Sequence, residues 1–204
     1  MTLRWIDGPA GRLSLRQHGE GAPVLVLHPH PMHGGTKGTR LVYAICKALA
    51  DAGFQATRFD FRGVGDSEGT YDGGPGETDD ALAVWDHLRE ATGESPAVVG
   101  FSFGGGVAVR VATRRPVPAL VLVATPAKVR DSDLEPAHEA TEVSCPSHVV
   151  IGTDDELVAP ADAEAVRAAL GGRITVLEGA DHFLTPSHHD RAVRAVVAAL
   201  QGLL

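Results

Sequence analysis

Apolar residues in this chain follow two alternating rhythms. Short continuous apolar runs mark the segments 23–28, 55–59, 97–101, 119–124, 148–151 and 173–177. Such runs suit strands buried on both faces. Between them, apolar residues recur at helical spacing. Leu41, Ile45, Ala48 and Leu49 form one such stripe, which Gly53 closes. Segment 79–90 carries Leu82, Trp85 and Leu88, with acidic residues at its start, where a helix dipole favours them. Small apolar residues from Val107 to Ala112 mark a third helix. Segment 161–170 is a fourth, stopped by Gly171-Gly172, and Val193, Val196, Val197 and Leu200 mark a closing helix. At the start, 3–6 and 13–17 read as an antiparallel opening hairpin around the turn 7–11. The alternation predicts an α/β protein with a mostly parallel twisted sheet of about eight strands and helices on both faces.

Composition narrows the class. At 204 residues with 44% hydrophobic residues, the chain reads as one domain spanning 1–204 with a sizeable core. The net charge is −8 and no Lys/Arg-rich block occurs, which argues against nucleic acid as a partner. No apolar run approaches the roughly 18 residues of a membrane span, so no membrane partner is expected. The first residues lack the layout of a signal peptide. Cys46 and Cys145 make no disulfide framework; Cys46, beside Ala44, Ile45 and Leu49, reads as a buried thiol. A reducing, cytoplasmic setting is the expectation. A homodimer remains open, through an edge strand or the last helix.

The chemistry concentrates after three strands. Pro96-Ala97-Val98-Val99 runs into Gly100-Phe101-Ser102-Phe103-Gly104, with a small-residue helix behind it. A strand, Gly-x-Ser-x-Gly and a helix together put a serine on a sharp turn with its hydroxyl exposed. Asp155 follows the run Val149-Val150-Ile151, and His182 follows the last strand. In a parallel sheet all three emerge at the carboxyl edge, where open α/β sheets place their sites. Asp154 competes with Asp155 for the acid position, and His188 and His189 compete with His182. The last two fall at the start of the closing helix, where exposed or capping roles are expected.

Five motifs in order carry a resemblance. They are His28-Pro29-His30-Pro31-x-x-Gly34-Gly35, Asp60-Phe61-Arg62-Gly63-Val64-Gly65-x-Ser67-x-Gly69, the Ser102 pentapeptide, Gly152-x-x-Asp155-x-x-Val158 and Gly179-x-x-His182-Phe183. Over nearly its whole length the chain resembles the α/β-hydrolase superfamily, and most of all its small lidless members with a His-Pro-His-Pro segment, described as dienelactone-hydrolase-like or esterase-like. The resemblance implies a three-layer α/β-hydrolase fold without a lid domain. It also implies a serine hydrolase that takes a small-molecule acyl substrate, an ester or thioester, and needs no cofactor. Ser102 would be the nucleophile, His182 the base and Asp155 the group that orients it. The Gly-x-x-Asp-x-x-Val match favours Asp155 over Asp154. The oxyanion donors would be the backbone N–H of Phe103 and one from the loop after the strand ending at His28. Pro29 and Pro31 have no N–H, so His30 is the nearest donor, with Met32 behind it.

Other readings compete. His28, His30 and His33 invite a metal site, but no cysteine or carboxylate motif nearby completes a coordination sphere. The Gly63/Gly65 pair lacks the third glycine and following helix of a nucleotide loop; a structural turn, with Arg62 bonded to neighbouring loops, is expected instead. Segment 125–147 is rich in charge and proline; it is too short for a lid domain and reads as a loop or a short helix, or as partial cover for the site. Glycine-rich 71–76 reads as a mobile rim or a connector, the connector being preferred. At the level of function, a binding module of the same fold with little turnover is one alternative. Acyl transfer, peptide cleavage or perhydrolysis on the same three residues is another.

Overall fold

The computed structural model describes residues 2–204. The chain folds in the order β1 (Thr2–Gly8), β2 (Gly11–His18), β3 (Ala22–Leu27), α1 (Arg40–Asp51), β4 (Phe54–Phe59), α2 (Pro75–Thr92), β5 (Ala97–Phe101), α3 (Phe103–Arg114), β6 (Leu120–Val123), α4 (Pro136–Glu139), β7 (Ser147–Gly152), α5 (Pro160–Leu170), β8 (Arg173–Leu177) and α6 (Pro186–Gln201). The strands form one sheet in the order β1-β2-β4-β3-β5-β6-β7-β8. β1 and β2 are antiparallel, and β2 also runs antiparallel to β4. Every other pairing is parallel. The opening hairpin closes tighter than the sequence suggests, with Gly8 paired to Gly11 across Pro9-Ala10.

α1 and α6 pack together on one face, while α2, α3, α4 and α5 follow one another across the other. This three-layer arrangement is the α/β-hydrolase fold. The central strands β3, β5 and β6 are almost wholly buried, as their continuous apolar runs require. Trp85 is fully buried in α2 and donates its Nε1–H to the Pro96 carbonyl at 2.9 Å, so its one polar atom is satisfied. Among the described residues, no helix is long and apolar enough to cross a membrane.

One segment departs from expectation, and a second takes the short-helix form that was among its expected ones. α2 begins at Pro75 rather than at residue 79, so part of the glycine-rich 71–76 segment is helix. Proline suits the first helical turn because its missing N–H is not needed there. Glu77 then accepts the backbone N–H groups of Asp72 and Gly74, which ties the entering chain to the helix. Segment 125–147 holds a short helix, α4, followed by a 3-10 turn at Ala140–Glu142. Its apolar residues Leu134 and Ala140 are fully buried. Arg110 of α3 holds it with Asp133 and Glu139 at 2.8 Å each. Most of the segment is therefore a fixed part of the helical layer.

Candidate active site

Ser102 sits between β5 and α3 with φ 54° and ψ −117°. A non-glycine residue rarely adopts such angles. The turn holds it there: its N–H donates to Val123 O at 2.8 Å, and its carbonyl accepts from Gly105 at 2.8 Å. α3 can begin so close to the sheet only because Gly104, Gly105 and Gly106 follow Phe103 in its first turn. A Cβ on Gly104 would lie 2.5 Å from His28 O, and one on Gly105 would run into Thr125 Oγ1. This close approach sets the N-terminus of α3 beside the loop that follows β3.

Asp155 and His182 reach Ser102 from the turns after β7 and β8. His182 Nδ1 lies 3.0 and 3.1 Å from the two Asp155 oxygens. His182 Nε2 lies 3.2 Å from Ser102 Oγ. Asp155 Oδ1 also accepts the N–H groups of Leu157 (2.9 Å) and Val158 (2.7 Å), which fixes the carboxylate in its turn. The Asp155 side chain is fully enclosed, and that of His182 is 4% exposed. A carboxylate only accepts, so the proton belongs on Nδ1 and the Nε2 lone pair faces the serine hydroxyl. The His182 ring rests between Phe101 and Phe183, with centroids 5.6 and 5.3 Å away.

The rival residues lie elsewhere. Asp154 is exposed and accepts from Thr153 Oγ1 at 2.9 Å. His188 is half-buried beside Arg191. His189 departs from the exposed role expected of it: it is 9% exposed, and its Nε2 has no hydrogen-bond partner. It sits on the first turn of α6, packed inward beside Leu184 and Thr185. Glu156, the next acid along, accepts the His182 N–H at 3.3 Å and steadies that loop.

The loop after β3 carries two histidines with different tasks. His28 is wholly buried; its Nδ1 donates to Pro29 O at 2.7 Å, and its Nε2 accepts the Phe61 N–H at 3.2 Å. Burial pushes this imidazole down from 6.5 to about 3, so it stays neutral. With both nitrogens on backbone groups, His28 is withdrawn from any metal-ligand trio with His30 and His33. Among the described residues, no group of three potential ligands is arranged to hold a metal. His30 packs against Phe103 at 4.9 Å and stacks on His33 at 4.4 Å. Its Nδ1 accepts the Met32 N–H at 3.2 Å, so that N–H is already engaged and Met32 drops out as a donor to substrate. Among the described residues, neither the His30 N–H nor the Phe103 N–H meets an acceptor.

Tyr71 lies at the rim of the site, in the stretch that the sequence left between a rim and a connector, with contacts the sequence did not show. Its hydroxyl lies 3.3 Å from His30 Nε2 and donates to Asp131 O at 3.1 Å. It thereby links three loops, 29–35, 66–74 and 125–135. The only signal in the sequence was an aromatic residue in a glycine-rich stretch. Arg62 pairs with Asp80 of α2 at 2.7 Å, so the turn after β4 is anchored to a helix rather than to other loops.

A protein-family profile described as the alpha/beta hydrolase fold matches residues 23–144, more than half of the chain. The chain belongs to that family. It is 32% identical over 201 residues to RP471, an uncharacterized protein of Rickettsia prowazekii, covering 90% of this chain and 82% of that one. Its structure is similar to that of an alpha-beta serine hydrolase homologue from Coxiella burnetii, with a TM-score of 0.86 and 31% identity across 98% of this chain and 97% of that one. It is also similar to XC6422 of Xanthomonas campestris, described as an α/β serine hydrolase without lid. There the TM-score is 0.78 and the identity 29%, across 98% of this chain and 92% of the other. The profile match ends before Asp155 and His182, whereas both structural likenesses extend over nearly the whole chain.

Proposed function

We propose that this chain is a serine hydrolase that cleaves small or medium acyl esters or thioesters through an acyl-enzyme. One observation carries the reading. Asp155, His182 and Ser102 form a continuous line of contacts at 3.0 and 3.2 Å, although their positions in the chain are far apart. A serine hydroxyl is a weak nucleophile until a base removes its proton. Ser102 Oγ bonds to the acyl carbon as its proton passes to His182 Nε2. The carbonyl π electrons move onto oxygen, where the Phe103 and His30 N–H groups receive the charge. Losing one such donor costs about 10² to 10³ in rate. Collapse breaks the bond to the leaving oxygen or sulfur, which takes the proton from His182. Water repeats the sequence on the acyl-enzyme and frees the acid and Ser102. Asp155 holds the tautomer and stabilises the imidazolium without accepting the proton.

The test is labelling with a fluorophosphonate probe, together with turnover of p-nitrophenyl esters of rising chain length. Wild type is expected to label and to turn over the shorter esters, and Ser102→Ala to do neither. Labelling that persists in Ser102→Ala defeats the reading. Labelling without ester turnover points to acyl transfer or another use of the same residues.

A further inference from the structure

A cavity of about 320 Å³ lies beside the candidate site and belongs to none of the steps above. Its walls are apolar, with Pro29, Leu41, Phe101 and Phe183 among them. Phe101 directly precedes Ser102, and Phe183 directly follows His182. At about 30 Å³ for a water-sized group, the space suits on the order of ten non-hydrogen atoms.

Thr39, Thr185 and His33 contribute polar groups without formal charge, and the charged lining has one sign. Arg40 and His189 line it, and no Asp or Glu does, although the whole chain carries −8. Among the described residues, no carboxylate pairs with Arg40. His189 is nine-tenths buried, and its Nε2 lacks any partner. That nitrogen is itself closed off from solvent, so His189 contributes to the wall of the cavity while Arg40 contributes its charge. Two helix N-termini also meet here: Thr39 and Arg40 open the 12-residue α1, and Thr185 precedes the 16-residue α6. Both dipoles favour negative charge. Asp181 accepts the Thr185 N–H but does not line the cavity.

We propose that this cavity receives an arm of the substrate with a short apolar stem ending in a carboxylate, read by Arg40 with His189 beside it. The inference rests on the hydrolase reading, since it assigns the substrate class of that site. The carboxylate can belong to the acyl part or to the alcohol part of the ester. Two substrate pairs separate these sources. The mono-p-nitrophenyl ester of adipate is compared with p-nitrophenyl hexanoate, and 4-acetoxybenzoate with 4-acetoxybenzamide. In one pair the anionic member is expected to have about a fivefold higher kcat/KM, of the order that a partly exposed ion pair supplies. Arg40→Gln should bring that ratio close to one. Arg173→Gln, with the same change in charge at β8, should leave it intact.

No anionic preference in either pair overturns the proposal, as does a preference that survives Arg40→Gln. Turnover of the neutral esters reads the hydrolase assignment separately. If no ester is turned over, calorimetry decides the cavity alone. Benzoate should then bind and benzamide should not, with binding weakened in Arg40→Gln; equal binding of the two overturns the proposal.

Discussion

His28 and His182 are both buried imidazoles at the carboxyl edge of the same sheet, yet their surroundings give them opposite chemistry. His28 lies between a backbone carbonyl and a backbone N–H. Both partners are fixed and neutral, so the ring gains nothing by taking a proton and burial holds it neutral. His182 lies between a carboxylate and a hydroxyl. In the proposed reaction a proton arriving on Nε2 comes from Ser102 and meets a compensating charge in Asp155. The first ring acts as a strut between the loop after β3 and the turn after β4, and the second has the surroundings that the proposed reaction asks of a proton carrier. The difference is set by the partners rather than by depth, since neither ring is open to water.

The contrast can be broken at several points. Asp155→Asn removes the charge on which the proposed carrier role of His182 depends. Turnover of a p-nitrophenyl ester should fall by about 10⁴ in kcat, with little change in fold by circular dichroism. His28→Ala should act mainly on stability. It strands the Phe61 N–H and the Pro29 carbonyl and leaves a void, for a loss of about 2–4 kcal/mol in urea unfolding. Turnover should fall only about ten- to a hundredfold, through a looser loop. A kinetic loss as deep as that of Asp155→Asn at unchanged stability would dissolve the distinction between strut and carrier.

Acid sharpens the same point. His28 has its folded pKa lowered to about 3, below the unfolded 6.5. Its contribution is fully present above pH 6.5, where both states are neutral. As pH falls from 6.5 towards 3, the unfolded chain takes the proton first, so stability drops by on the order of a few kcal/mol and then levels off. Unfolding free energies measured between pH 7 and 4 should fall less steeply in His28→Gln than in wild type. Smaller effects test the periphery. Tyr71→Phe cuts the link from His30 to Asp131 and should lower kcat about two- to fivefold, with KM nearly unchanged. Asp154→Asn, at an exposed side chain, should change turnover by less than about twofold; a large loss there would mean that the wrong neighbour has been assigned to the relay.

What the sequence made legible was mostly local or periodic. The β5–Ser102–α3 turn needs a strand, two glycines and a helix in immediate succession, so its signal is contiguous. The central strands reveal themselves because burial on both faces demands unbroken apolar runs. Asp155 and His182 followed from topology, as residues after parallel strands must share an edge. The start of α2 was obscured because Pro75 and Gly76 have the composition of a loop, although a first helical turn tolerates both. His189 was misread because a histidine at a helix start is commonly exposed; its burial depends on α6 packing against α1, a long-range contact without a local sign. The contacts of Tyr71 were hidden for the same reason. Its partners, His30 and Asp131, lie 41 and 60 positions away.

The glycines that open α3 carry a consequence for any attempt to harden this protein. Replacing helical glycine by alanine is a common thermostabilising step, worth about 0.5–1 kcal/mol where space allows. At Gly104 and Gly105 the added methyl group would meet a carbonyl oxygen and a threonine hydroxyl, so libraries built on that recipe should lose both variants early. That recipe belongs to the surface helices, because the turn at Ser102 has no room for it.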